Sequence, residues 1–81
     1  MKNKCPCCGF YTLDKDDPKY DICPVCYWEN DPIQEKYPEE TGANKVSLIE
    51  GRINYRKFGV CELRLFEYTR APKIDETETT L

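Results

Sequence analysis

Four cysteines stand out by type and by spacing. Cys5 and Cys8, and Cys23 and Cys26, form two Cys-x-x-Cys pairs separated by 14 residues, and each pair has proline in its second place: Cys5-Pro6-Cys7-Cys8 and Cys23-Pro24-Val25-Cys26. Thiolates brought together from two such turns are soft donors that fill a tetrahedral metal site. Each turn must aim backbone N–H groups at its first sulfur, accept proline, and leave through a residue for which positive φ is cheap. Gly9 meets the last demand after the first pair, whereas the second pair is followed by Tyr27. The spacing predicts one structural Zn2+ held by Cys5, Cys8, Cys23 and Cys26. Iron, which four thiolates also suit, is the competing metal, and disulfide or redox pairing is a third reading. Four sulfur ligands complete the shell and leave no position for water or substrate, so catalysis at the metal is not expected. The chain has no histidine, which removes Cys–His nucleophilic catalysis and mixed Cys/His metal sites.

Two thiols are left over. Cys7 lies inside the first turn, so its side chain is expected to point away from the metal. The neighbouring thiolates would lower its reactivity and Lys4 would raise it. Cys61 reads as a small core residue at the end of a helix. If Cys61 folds back onto Cys7, a disulfide or an alternative ligand set follows.

The 81 residues allow one small domain. A core of that size stabilises a fold by only about 3–5 kcal/mol, so a metal staple fits the need. No apolar segment follows Met1-Lys2-Asn3-Lys4, so neither a signal peptide nor a membrane-spanning helix is expected, and the predicted location is cytoplasmic. The formal charge of −3 becomes about −5 once two metal charges meet four thiolates. Residues 1–45 carry six bases and nine acids, residues 46–73 six bases and three acids, and residues 74–81 three acids. Only the middle segment would attract an anion. Within it Arg52, Arg56 and Lys57 form a candidate anion or partner patch, set against the plainer reading of a solvated helix face.

The elements that must position the cysteines are short. Residues 2–4 and Phe10–Leu13 read as strands around the first turn; Tyr20–Ile22 and Tyr27–Glu29 read likewise around the second. Asn30–Lys45 reads as a long irregular loop, tied to the core by Ile33 and Tyr37. Its acids, with Glu29, Asp31, Glu35, Glu39 and Glu40 in or beside it, read as solvated. Ser47-Leu48-Ile49-Glu50 is a capping box and Gly59 a stop, which predicts a helix over about 48–58. Leu48, Ile49, Ile53 and Tyr55 are assigned to its buried face, and Gly51 to close packing against the cysteine turns. Val60–Tyr68 reads as a short helix or turn. Most of the tyrosines and Trp28 are expected in the core, with an exposed stacking platform as the alternative. Residues 1–72 are thus read as one domain and 73–81 as a disordered acidic tail.

These motifs together resemble the CPCC family of cysteine-rich proteins. The likeness rests on Cys5-Pro6-Cys7-Cys8-Gly9 and on Ile22-Cys23-Pro24-Val25-Cys26-Tyr27-Trp28-Glu29. It continues through Asp31-Pro32, Gly42-Ala43-Asn44, Ser47-Leu48, Arg52, Asn54-Tyr55 and Phe58-Gly59, and more weakly from Arg64 to Pro72. The resemblance implies a bacterial, cytosolic protein with a zinc-ribbon-like domain followed by a helix, and it implies no reaction.

The fold expected is a small α+β metal-stabilised domain: a zinc ribbon with two Cys-Pro-x-Cys knuckles on short β-hairpins, then a long loop and an α-helix. The function expected is that of a non-enzymatic binding module for a protein partner. One alternative is nucleic-acid binding through Arg52, Arg56, Lys57, Arg64 and Arg70, which the net negative charge disfavours. The other is thiol redox or metal sensing by Cys7 and Cys61.

Overall fold

The computed structural model describes residues 2–77. The chain begins with a minimal hairpin, β1 (Asn3–Lys4) against β2 (Tyr11–Leu13), antiparallel with Asn3 opposite Leu13 and Lys4 opposite Tyr11 and an irregularity between them. The first cysteine turn is the tip of this hairpin. Around the second turn the expected strands shrink to a single bridge between Ile22 and Glu29. The reason is local: Tyr20 adopts φ 62°, which breaks extended backbone, and the Asp21 carboxylate takes the Ile22 N–H at 3.0 Å.

The segment 30–45 is not an irregular loop. It contains α1 (Pro32–Lys36), whose N-terminus is capped by Asp31 accepting from Ile33 N–H at 2.9 Å, with proline at the first helical position. Ile33 and Tyr37 do not anchor it; they are 60% and 51% exposed. The anchor is polar. The buried Gln34 amide donates to the carbonyls of Glu40 and Val46 and accepts from Asn44 N–H and Nδ2, while Asn44 also bonds both backbone groups of Glu29. Asp31 reaches across to Ala43 N–H with its second oxygen and is buried, so it caps and staples instead of lying in solvent. A network whose members are all paired organises this segment as an apolar plug would.

The helix α2 (Leu48–Phe58) has the expected bounds, with both capping-box bonds present and Gly59 closing it at φ 77°. Its buried face differs from the sequence expectation. Leu48 and Gly51 are buried and Tyr55 half-buried, whereas Ile49 and Ile53 are each 43% exposed. Glycine explains the rotation: Gly51 lies so close to Trp28 and Cys7 that a methyl group there would stand 3.1 Å from Trp28 Cζ3 and 3.3 Å from Cys7 Sγ. That contact turns the Leu48–Gly51–Tyr55 line inward. A 3₁₀ helix over Leu63–Tyr68 follows, in keeping with the short helix or turn expected there.

The tail also departs from expectation. Ile74–Thr77 forms a helical turn, α3, which packs on β2, and Glu76 is fully covered. Its carboxylate takes both Arg70 nitrogens at 2.9 and 2.8 Å, Lys73 N–H at 2.8 Å and Lys2 Nζ at 3.3 Å. Four donors from three residues hold the glutamate in place and stitch the two ends of the chain together. The rest of the predicted disordered segment, residues 78–81, lies outside the described residues.

The result is a small α+β fold. Trp28, Leu13, Leu48, Val25 and Val60 are buried together with Cys5, Cys7, Cys23, Cys26 and Cys61. None of the six tyrosines is fully buried: Tyr20, Tyr37 and Tyr68 are exposed and Tyr11, Tyr27 and Tyr55 half-buried, and Trp28 alone of the large aromatics is sealed. Among the described residues no helix is long and apolar enough to cross a membrane.

Candidate metal centre

The two cysteine turns are near-copies. Gly9 N–H donates to Cys5 carbonyl at 2.9 Å and Tyr27 N–H to Cys23 carbonyl at 2.8 Å. Cys5 N–H donates to Phe10 carbonyl at 2.8 Å and Cys23 N–H to Trp28 carbonyl at 2.9 Å. Both turns leave through positive φ, 84° at Gly9 and 66° at Tyr27. A tyrosine there costs about 1–2 kcal/mol of backbone strain, and its ring finds a partner in Tyr68, stacked at a centroid distance of 5.3 Å.

These turns bring the sulfurs of Cys5, Cys8, Cys23 and Cys26 within 4.8 Å of one another. Cys5 and Cys26 lie 3.7 Å apart, as do Cys8 and Cys23. A tetrahedron with metal–sulfur bonds of about 2.3 Å has edges of about 3.8 Å; the two 3.7 Å separations match such an edge, and the other four lie within 4.8 Å. All six cysteines are free in this structure. The four sulfurs can therefore hold a metal ion.

Their surroundings are unequal. Cys23 accepts from Val25 N–H at 3.4 Å and Cys26 N–H at 3.5 Å, and the Thr12 hydroxyl, 2.9 Å away, can donate to it as a thiolate. Its thiol is held far below the usual range, first by Cys26 and then by Cys5 and Cys8. The thiols of Cys5, Cys8 and Cys26 are pushed far up, chiefly by interaction with the neighbouring Cys23 sulfur. Four crowded thiols become four thiolates only when a cation neutralises them, so metal binding here releases protons. Cys8 is the one half-exposed sulfur; the other three are buried.

The family model for cysteine-rich CPCC proteins matches residues 3–76. The chain belongs to the cysteine-rich CPCC family. Among curated proteins none matches the chain. In this CPCC protein the shared motif spans both cysteine turns and the helices that cover them.

The remaining candidates are distributed as follows. Cys7 is 7% exposed and packs under Gly51 and Trp28. Cys61 is buried beside the second turn, donating N–H to Cys26 carbonyl at 2.9 Å; burial, then the charge of Cys7, pushes its thiol up to about 12. Burial of both leaves neither as an accessible nucleophile. Arg52 and Arg56 come together on α2, but their cationic companion is Lys4, not Lys57, which does not line their cavity. Arg64 pairs with Glu62 at the surface and Arg70 with the buried Glu76, so two of the five residues of the nucleic-acid reading already have carboxylate partners. Sequence reasoning overlooked Thr12, whose position two residues past Phe10 carried no signal of contact with Cys23. It also overlooked Lys4 as a partner of the α2 arginines.

Proposed function

We propose that this CPCC protein is a structural-zinc binding module that recognises another protein in the cytoplasm and catalyses no reaction of its own. The finer fold reading is a zinc ribbon, its knuckles the Cys5–Cys8 and Cys23–Cys26 turns. One observation carries the proposal: four cysteine sulfurs, three of them buried and Cys8 half-exposed, converge within 4.8 Å of one another, so an ion held by all four keeps no site for substrate. The paired turns with left-handed exits support the ribbon reading. Zinc is the ion favoured by four thiolates that serve stability. The apolar side chains left outside, Ile49, Ile53, Phe58, Leu63 and Phe66, are 43–57% exposed and supply contact surface for a partner. Nucleic-acid binding is supported less well, since Arg64 and Arg70 already have carboxylate partners.

Native mass spectrometry of the protein from zinc-supplemented cells, before and after chelation, gives metal identity and stoichiometry. One zinc per chain is expected, and iron or no metal would overturn the zinc assignment. Affinity capture with the metal-loaded protein should recover a reproducible protein partner, and failure to recover any would count against the module.

A further inference from the structure

The first cysteine turn forms one wall of a cavity of about 470 Å³, and Arg52, Tyr55 and Arg56 of α2 form the opposite wall. Three cations face it: Lys4, Arg52 and Arg56, with Glu35 the single acid on its rim. Among the described residues none of the three is in an ion pair. The plainest account of such a cluster is compensation for the negative metal–thiolate centre behind the turn. The hydrogen bonds argue otherwise, because none of the three donates to a cysteine sulfur. Arg52 instead spends its Nε–H on Pro6 carbonyl at 2.9 Å, which fixes the guanidinium at the cavity edge and leaves its outer nitrogens unbonded among the described residues. A guanidinium held in this way is prepared for a planar carboxylate and loses little freedom on binding one.

The adjoining exposed face of α2 has a second property. Ile49, Arg52, Ile53 and Arg56 follow one another at i, i+3, i+4 and i+7, which places them on one helical face. Both isoleucines are 43% exposed. A face that alternates aliphatic and guanidinium groups beside a cationic cavity is complementary to a segment that alternates aliphatic and carboxylate groups. It is poorly matched to a nucleic acid. A continuous line of phosphates would run past Glu35 and along a chain with net charge −3, and the isoleucines would face a hydrated backbone.

We infer that the cavity between the Cys5–Cys8 turn and α2 is a carboxylate-recognition site, and that the module's partner presents an acidic segment with interleaved aliphatic side chains. Lys4, Arg52 and Arg56 take the carboxylates, and Ile49 and Ile53 take the aliphatic groups. This rests on the binding-module reading and names the partner's chemistry.

The test uses the metal-loaded full chain, labelled with 15N, titrated with the peptide acetyl-Leu-Glu-Glu-Leu-amide and with its glutamine twin. The glutamate peptide should shift the amides of Lys4–Gly9 and the side-chain Nε–H signals of Arg52 and Arg56, and the twin should not. Arg56→Gln and Lys4→Gln remove no internal bond seen in the fold, and each should weaken the peptide about three- to tenfold. Equal binding of the twin, shifts confined to other surfaces, no binding, or tighter binding of a single-stranded oligothymidylate at the same salt would each overturn the assignment. Partner capture separates the two claims. If the Lys4→Gln and Arg56→Gln proteins recover a partner as well as the wild type does, the carboxylate site falls and the module stands. If no bait recovers a partner, the module itself falls.

Discussion

Gly51→Ala sets two effects of opposite sign against each other, and the structure decides between them. In a helix interior away from other atoms the change would stabilise by about 1 kcal/mol, because glycine loses more backbone freedom on folding than alanine does. Here the new methyl would lie 3.1 Å from Trp28 Cζ3 and 3.3 Å from both Trp28 Cε3 and Cys7 Sγ. Carbon contacts are attractive only near about 3.5–4.0 Å, so all three are repulsive. Neither neighbour can yield easily: Trp28 is fully buried, and Cys7 is 7% exposed on a turn pinned at Cys5 and Cys8. Overpacking of this kind costs about 1–3 kcal/mol, and after the propensity gain the variant should be less stable by up to about 2 kcal/mol. Urea unfolding at a buffered free-metal concentration measures it, since metal binding and folding are coupled. Strain passed to the Cys5–Cys8 turn should also lower metal affinity. Cys7→Ala removes one of the clashing atoms, so the double variant should recover part of the loss, with a coupling of about 0.5–1 kcal/mol. A Gly51→Ala protein that is more stable by the propensity gain, or strict additivity with Cys7→Ala, would refute the close-contact reasoning.

Chelation at neutral pH should unfold the protein cooperatively in far-ultraviolet circular dichroism, because a structural thiolate site contributes about 10–16 kcal/mol against the few available from so small a core; a chelated protein that keeps its helical signal would contradict this. Cobalt(II) refilling should give the intense visible bands of a tetrahedral tetrathiolate in the wild type and in Cys7→Ser, and a lost or altered spectrum in Cys8→Ser. Gly9→Ala has open space around the new methyl, with nothing nearer than Lys4 Cε at 4.0 Å, but φ is 84°; it should cost about 1–2 kcal/mol from backbone strain alone, read from the same urea titration. Glu76 is held down to about 2 from 4.5, first by Arg70 and then by Lys73 N–H and Lys2. Its folded value is depressed, so its contribution is complete above pH 4.5 and is lost as pH falls towards 2. Because its partners Arg70 and Lys2 are themselves 35% and 37% exposed, Glu76→Gln should cost about 1–2 kcal/mol at neutral pH. The gap from wild type should hold from pH 7 to 5 and narrow below 4.5 for as long as the metal stays bound.

What could be read from the sequence was local. A cysteine pair closes its own turn, and Ser47, Glu50 and Gly59 act within one helical turn of themselves, so the four sulfurs and the bounds of α2 followed from spacing alone. The Asp31-Pro32 start of α1 was equally local and stood in plain view, overshadowed by Pro38 and Gly42, which suggested a loop. The features that could not be read are contacts across the chain. Nothing near Gln34 announces Asn44, ten residues away, and nothing near Glu76 announces Lys2 at the other end. The face of α2 is the instructive case. Hydrophobic periodicity counts side-chain atoms and therefore assigned Ile49 and Ile53 inward, but what packs best against a flat indole ring is the residue with no side chain. Once Gly51 meets Trp28, Leu48 and Tyr55 must flank it and the isoleucines must turn outward with Arg52 and Arg56. A domain stapled by a metal can leave those two aliphatic residues outside its core, because its stability does not depend on burying them. The mismatch between periodicity and burial therefore coincides with the surface through which we propose it binds.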